Sequence, residues 1–209
     1  PIIATHKPKP FIFCYLSLRE FLLVSLAALI WLLVNANLIL VVSFAPAFLN
    51  AIGLDVASAG QLTSVGTWLG VITIPIGGYV AQRWVSSDVF MTSMFIVGCL
   101  ATFAILWLNA PLLAFIAFGV FAWAPAGAIV ALPVTFLKQS NRAIGMGLFF
   151  SYYYLGIGIF PTIAGYLRDS TGDPSAPIVL AAWLLVGALA CLVALRISER
   201  LMPVERADA

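Results

Sequence analysis

Long apolar stretches separated by short polar segments repeat along this chain. They cover residues 21–49, 56–80, 89–108, 112–136, 144–167 and 177–195. No Asp, Glu, Lys, Arg or His lies in the central part of any stretch. Each is long enough for one membrane span, because a helix crosses a hydrocarbon core of about 30 Å with about 20 residues. Since barrel strands would alternate polar and apolar residues, the pattern predicts an all-α membrane domain of six transmembrane helices.

The cations divide this pattern into two sides. If the N-terminus is cytoplasmic, nine of the ten Lys and Arg residues lie on the cytoplasmic side and only Arg168 lies outside. Such a bias predicts that both termini are cytoplasmic in a multi-pass protein of the plasma or inner membrane. We therefore expect a cytoplasmic linker with an interfacial segment at 1–20, a transmembrane domain at 21–197 and a cytoplasmic tail at 198–209. Because Pro1 replaces an initiator Met and no signal peptide follows, we also expect a preceding segment to be missing.

Composition excludes several classes of function. Hydrophobic residues make up 63% of the chain and charged residues 9%, against roughly a quarter charged in soluble domains. The cations form no basic stripe of the kind that binds nucleic acid. The one histidine, His6, lies before the first span, and the three cysteines, at 14, 99 and 191, are isolated. We expect no catalytic residue, metal site or cofactor, and we expect the lipid bilayer and a small-molecule substrate as partners.

The first three spans resemble the last three. Residues 44–47 and 123–126 both read aromatic-Ala-Pro-Ala, and Pro75 with Gly78 corresponds to Pro161 with Gly165. Because three is odd, the two triplets enter the membrane from opposite sides. The fold class is therefore expected to be two inverted three-helix repeats, as in many secondary transporters.

Polar and aromatic side chains within the spans are the candidates for contact with a solute, because such groups at membrane depth face protein or a water-filled cavity. The candidate cavity residues are Asn35, Asn37, Gln61, Ser64, Trp68, Trp123, Ser151 and Tyr154. The fifth span adds a small and polar stripe at helical spacing, made of Gly147, Ser151, Tyr154, Gly158, Pro161 and Gly165. This stripe either lines a cavity or allows close helix packing.

Two of these candidates are not expected to contact the substrate together. Asn35 and Asn37 are two residues apart, so they point to roughly opposite sides of a regular helix. Only one of them is expected to contact substrate unless the helix unwinds.

Phe44 and Trp123, which precede the repeated Ala-Pro-Ala, are candidate gate or cavity aromatics, and packing beside a proline kink is the alternative.

Two motifs carry a resemblance to a known family. Residues 78–87, GYVAQRWVSS, are similar to the cytoplasmic loop signature G-x-L-A-D-R-x-G-R-R/K of the major facilitator superfamily, with Gly78, Ala81 and Arg83 in agreement. Residues 156–165, GIGIFPTIAG, resemble the family's G-x-x-x-G-P-x-x-G-G helix. Gly156, Pro161 and Gly165 agree with this motif, and Gly158 within it is a further candidate conformational residue. Asp88 follows the loop signature as a residue at the start of the third span.

The resemblance covers nearly the whole chain and implies the C-terminal six-helix half of a twelve-helix transporter, possibly of a cyanate-permease-like subgroup. It implies alternating access around a site near the midplane, and therefore a partner in the missing N-terminal six-helix half. Since this half offers no ionisable group at depth, any proton coupling is expected to pass through the other half.

Three other interpretations remain at this stage. The chain could be a complete six-helix substrate-binding subunit of a multi-component importer, although such a subunit would lack the loop signature. An intramembrane enzyme would need a nucleophile with an activating base, and no span contains His or Lys. A structural scaffold would show no polar face converging at mid-depth.

Overall fold

The computed structural model of this chain describes residues 16–107 and 109–202. Its helices are α1 (Leu18–Ala51), α2 (Val56–Arg83), α3 (Ser87–Trp107), α4 (Pro111–Phe121), α5 (Ala126–Phe136), α6 (Arg142–Thr171) and α7 (Ala176–Leu201). By length and apolar composition they form six candidate membrane spans, of which α4 and α5 together make one. The predicted all-α, six-span fold is confirmed.

Local sequence determines where several helices begin and end. Ser17 caps α1 in a capping box with Glu20, and the Asp55 side chain accepts from the backbone N–H of Ser58 at the start of α2. These caps satisfy N–H groups that have no partner within the helix. At the other end of α6, Gly172 adopts φ +68°, a left-handed conformation that glycine adopts without steric cost.

The two ends of the bundle are named here for the orientation that the sequence predicts. The inner end holds the start of α1 and the end of α7, where Arg19 Nε donates to the Met202 carbonyl oxygen at 2.6 Å. The outer end holds Gly53 and Gly172. The helices extend past the predicted spans, since α1 begins before residue 21 and α7 continues through Leu201 into the predicted tail.

The fourth span differs from its prediction, because a turn at residues 122–125 breaks it into α4 and α5. Pro125 lacks the N–H that would continue the helical bonding and its ring crowds the preceding turn. The same Ala-Pro-Ala sequence around Pro46 leaves α1 continuous. At the break, α2 approaches so closely that a Cβ on Gly77 would lie 2.2 Å from the Ala124 carbonyl oxygen. The local sequence around Pro125 thus permits a break in the helix, and the break is found where α2 packs closely against the chain.

Helix α1 lies at the centre of the packing. It packs along α6 and α7, with further contacts to α2 and α5, while α3 packs on α7 and α4. Helix α2 packs on α4 through glycines, since a Cβ on Gly119 would lie 2.5 Å from the Gly66 carbonyl oxygen. Small residues let backbones approach in this way within a membrane. Helices α2 and α6 consequently keep one face that no other described helix covers.

Candidate functional site

The uncovered faces of α2 and α6 contain most of the predicted cavity residues. Trp68 and Tyr154, which lie near the middle of their helices, are 73% and 70% exposed. Only 22% of the most apolar part of α2 and 17% of that of α6 is buried within the described structure, compared with 56% for α1. Exposed polar side chains therefore lie at membrane depth on these two helices.

On α6, most of the predicted stripe is exposed within the described structure. Gly147, Ser151, Tyr154 and Gly158 are all exposed, and a Cβ placed on Gly147, Gly158 or Gly165 would meet none of the described residues within 4 Å. Gly156 differs, because its Cβ would lie 2.6 Å from Leu32 Cγ on α1. Packing between helices of this chain thus accounts for Gly156, which lies off the stripe, and leaves the exposed stripe positions without a partner among the described residues.

The α2 face has a similar composition. Gln61 and Ser64 are exposed beside Trp68, and these three residues line an open concavity of about 740 Å³ whose described lining residues all belong to α2. Ser64 Oγ donates to the Gly60 carbonyl oxygen at 2.8 Å, and Ser151 Oγ donates to Gly147 in the same way. With their protons directed into their own helices, both hydroxyls present acceptor lone pairs to the open side.

Asn35 and Asn37 have different environments. Asn37 is fully buried, and its amide donates to Thr102 Oγ1 on α3 at 3.2 Å and to the Ala181 carbonyl oxygen on α7 at 2.9 Å. Asn35 is only partly buried and donates to the Trp31 carbonyl oxygen of its own helix at 2.8 Å. The Asn37 side chain therefore joins three helices away from the open faces, whereas the hydrogen bond of the Asn35 side chain in the described structure stays within α1.

A cluster of aromatic rings, which the sequence analysis did not identify, lies between α1 and α6. The Trp31 ring stacks on the Phe149 ring, with 5.9 Å between the ring centroids. The Tyr153 centroid lies 6.0 Å from that of Trp31 and 5.1 Å from that of Tyr154. The Trp31 indole N–H is buried without a hydrogen-bond partner in the described structure. The four-residue separation of Trp31 from Asn35 was a sequence signal that could have placed both on one helical face.

Trp123 lies at the break between α4 and α5. A Cβ on Gly70 of α2 would lie 2.6 Å from the Trp123 ring, so the glycine makes room for the indole. The Trp123 Nε1 atom is also buried and has no partner among the described residues. The ring is thus packed between α2 and the helix break, with its N–H group enclosed by the packing.

The loop-signature residues lie at the inner end of α2. Ala81 is buried, and Gly78 lies opposite Gly127 of α5, where an added Cβ would be 3.9 Å from the Gly127 Cα. Arg83 is exposed and has no ion pair in the described part of the chain. Asp88 lies in the first turn of α3, as predicted, and it also accepts from Arg196 Nε of α7 at 2.9 Å.

Charge is confined to the helix ends and loops of the described residues. In the outer loops, hydrogen bonds from Ser58 hold the pKa of Asp55 below its ordinary value, and hydrogen bonds from Ser175 do the same for the pKa of Asp173. The described residues contain no group of three His, Cys, Asp or Glu side chains that could hold a metal ion. What the open faces offer a solute is therefore neutral: amide, hydroxyl, phenol and indole groups beside apolar surface.

Comparison with known proteins identifies the family. A search of curated proteins finds no match to the chain. The family model described as Major Facilitator Superfamily matches residues 12–208, which is nearly the full length. The match agrees with the six apolar spans and with the loop and helix motifs at residues 78–87 and 156–165. The chain belongs to the Major Facilitator Superfamily, a family of membrane transporters.

Proposed function

We propose that this chain forms one six-helix half of an alternating-access transporter, and that the open faces of α2 and α6 form one wall of its solute path. The observation that carries the proposal is the exposure of Trp68 and Tyr154 near mid-depth, on helices whose opposite faces are packed. Polar groups on a lipid-facing surface would be unfavourable. A second six-helix half would cover these faces and enclose a path near the midplane.

The residues assigned to the path follow from their positions. Gln61, Ser64 and Trp68 contribute from α2 and Ser151 and Tyr154 contribute from α6, where they are exposed. Asn35 supplies an amide oxygen from α1, and we include Trp123 at the helix break, whose indole N–H is buried without a partner among the described residues. We assign Asn37 to the packing of α1 on α3 and α7, because its amide already bonds to both.

The neutral character of this wall determines what it can do. It can orient a small solute through donors, acceptors and aromatic faces, but it cannot neutralise a charged group or carry a proton at mid-depth. A charged solute or a coupled proton would then need an ionisable partner from the other half. We place both termini in the cytoplasm and the protein in the plasma or inner membrane, supported by the uneven distribution of Lys and Arg.

Thiol labelling tests for a water-filled path without knowledge of the solute. Cys14, Cys99 and Cys191 are replaced by Ala, and Ser151→Cys is introduced into the protein in native membrane vesicles. A membrane-impermeant maleimide should modify this thiol, because a thiolate forms in water and not in lipid. The matched control is Ile96→Cys, since Ile96 is exposed on α3 at the same number of residues from the inner end of its helix.

A second pair of cysteine variants tests the outer half of the path. Ser64→Cys on α2 is compared with Leu100→Cys, an exposed position of similar depth on the face of α3 that we expect to contact lipid. We expect the two serine positions to react at least tenfold faster than their α3 controls. Equal rates at the paired positions would contradict a water-filled path on α2 and α6 and would favour a dry interface.

A further inference from the structure

The carboxylate of Glu20 lies at the inner end of the bundle and is buried, with 4% of the residue exposed. Its Oε2 atom accepts from the Ser17 backbone N–H at 3.0 Å, which completes the capping box of α1, and from the Ser17 hydroxyl at 3.1 Å. Oε2 also accepts from Asn141 Nδ2, and Oε1 accepts from the Lys138 backbone N–H, both at 3.0 Å. One side chain therefore serves both the start of α1 and the connection between α5 and α6.

The second pair of bonds is unnecessary for capping. A capping glutamate needs only to reach back to its own helix start, and it does so equally well when exposed. Glu20 instead contacts residues about 120 positions further along the chain. Because an ionised carboxylate is costly to bury, its location indicates that these donors compensate for lost hydration.

A second contact holds the same connection in place. Leu137 is buried, and a Cβ on Gly145 would lie 2.3 Å from Leu137 Cδ1. The leucine thus packs on the first turn of α6 at a point where a larger residue would not fit. The connection is held on one side by this apolar contact and on the other by the Glu20 carboxylate.

Other polar contacts extend this arrangement across the inner end. Arg19 bonds to the end of α7 through the Met202 carbonyl oxygen, and Arg196 of α7 bonds to Asp88 of α3. The inner ends of α3, α7, α1 and the α5–α6 connection are joined in sequence by these contacts. The inner end of α2, with Arg83 exposed, makes no such contact to α1, α6 or α7 among the described residues.

We propose that Glu20 is a positioning residue that fixes the inner ends of α5 and α6 to α1. It makes α1 and α6 move as one body, so that the open face of α6 keeps its place relative to Asn35 and Trp31. Among the described residues, helix α2 meets this set of polar contacts through α3, where Ser87 Oγ donates to the Ala81 carbonyl oxygen at 3.3 Å. The role concerns the internal mechanics of the six-helix unit and holds whatever solute the protein carries.

Hydrogen exchange tests the contact directly in the protein held in lipid nanodiscs. The Lys138 amide donates to Glu20, so it should exchange at least about tenfold faster in Glu20→Ala than in the unmodified protein. Glu199→Ala is the matched control, because its carboxylate bonds to Arg196 and lies outside the α5–α6 connection. Unchanged exchange at Lys138 in Glu20→Ala would overturn the proposal, as would equal acceleration in both variants.

A second pair of variants decides the matter if Glu20→Ala does not accumulate in the membrane. Asn141→Asp places two carboxylates together and should accelerate exchange of the connection. It removes no capping bond from α6, because the Asn141 side chain makes none to the start of that helix. Adding Glu20→Gln supplies an amide donor to that new carboxylate and should restore at least half of the lost protection. A double variant that exchanges as fast as Asn141→Asp alone would refute a direct contact between the two side chains.

Discussion

The packed side of the molecule and its open side use the same kinds of residue for opposite purposes. On the packed side, the Asn37 amide bonds to α3 and α7, and Gly77 fits against the Ala124 backbone. On the open side, the partly buried Asn35 amide donates to its own helix, and none of the described residues lies within 4 Å of a Cβ added to Gly158. Amides and glycines therefore indicate close packing or an accessible path only when their neighbours are known.

The largest effect that separates the two sides should come from adding one methyl group to each. Gly77→Ala places its Cβ against the Ala124 backbone, which cannot yield as a flexible side chain would. We expect it to lower the free energy of unfolding by about 1–3 kcal/mol. Gly158→Ala should instead be neutral or stabilising by about 0.5–1 kcal/mol, because alanine is the better helix former.

Unfolding in detergent micelles, followed by tryptophan fluorescence, measures both glycine variants under the same conditions. Equal stability of Gly77→Ala and Gly158→Ala would contradict the expected difference between the position where α2 packs on the helix break and the open face of α6. A strongly destabilised Gly158→Ala would show that the exposed stripe packs within the protein.

The two asparagines provide the next test. Asn37→Ala removes the donor that joins α1 to α3 and α7, and we expect a loss of about 1 kcal/mol in stability, as for other polar contacts within membrane bundles. Asn35→Ala removes one bond to its own helix, so it should leave stability nearly unchanged and reduce solute uptake. Chemical unfolding in bicelles and uptake by whole cells measure the two properties. Loss of uptake in Asn37→Ala at full stability would reverse our assignment of the pair.

These comparisons show how far the sequence alone could lead. The spans and their polar residues follow from apolar length and helical spacing, and the opposed directions of Asn35 and Asn37 follow from a two-residue separation. Which of the two is packed depends on α3 and α7, whose contacts with α1 bring together residues far apart in the chain. For the same reason, the helix break beside Pro125 could not be told from the unbroken helix at Pro46, since the difference accompanies the position of α2.

Glu20 was missed on similar grounds. Charged residues at span ends are ordinarily anchors at the membrane interface, and nothing near Glu20 in the sequence indicates that Lys138 and Asn141 fold back onto it. The capping box with Ser17 was visible in the sequence, but it predicts only a helix start. Burial of the carboxylate became evident only with the fold.

The smallest expected effect concerns the Asp55 carboxylate that caps α2, in contrast to the buried carboxylate of Glu20 in the capping box of α1. Asp55 is exposed at the outer end, and hydrogen bonds from Ser58 lower its pKa below the ordinary value of 3.8. Because the folded pKa is the lower one, its contribution to stability is present above the unfolded pKa and is lost as pH falls through the folded pKa. The contribution of Asp55 to stability should therefore be constant between about pH 5 and 8 and should decline slightly below about pH 4.

The Asp55→Asn variant tests this expectation because it keeps the cap without the charge. The difference in stability between this variant and the unmodified protein should be constant above about pH 5 and change only in acid. If this stability difference changed near neutral pH, the pKa of Asp55 would have to lie far from its ordinary value. Asp55 would then be buried at the outer end of α2, as Glu20 is buried at the inner end of α1.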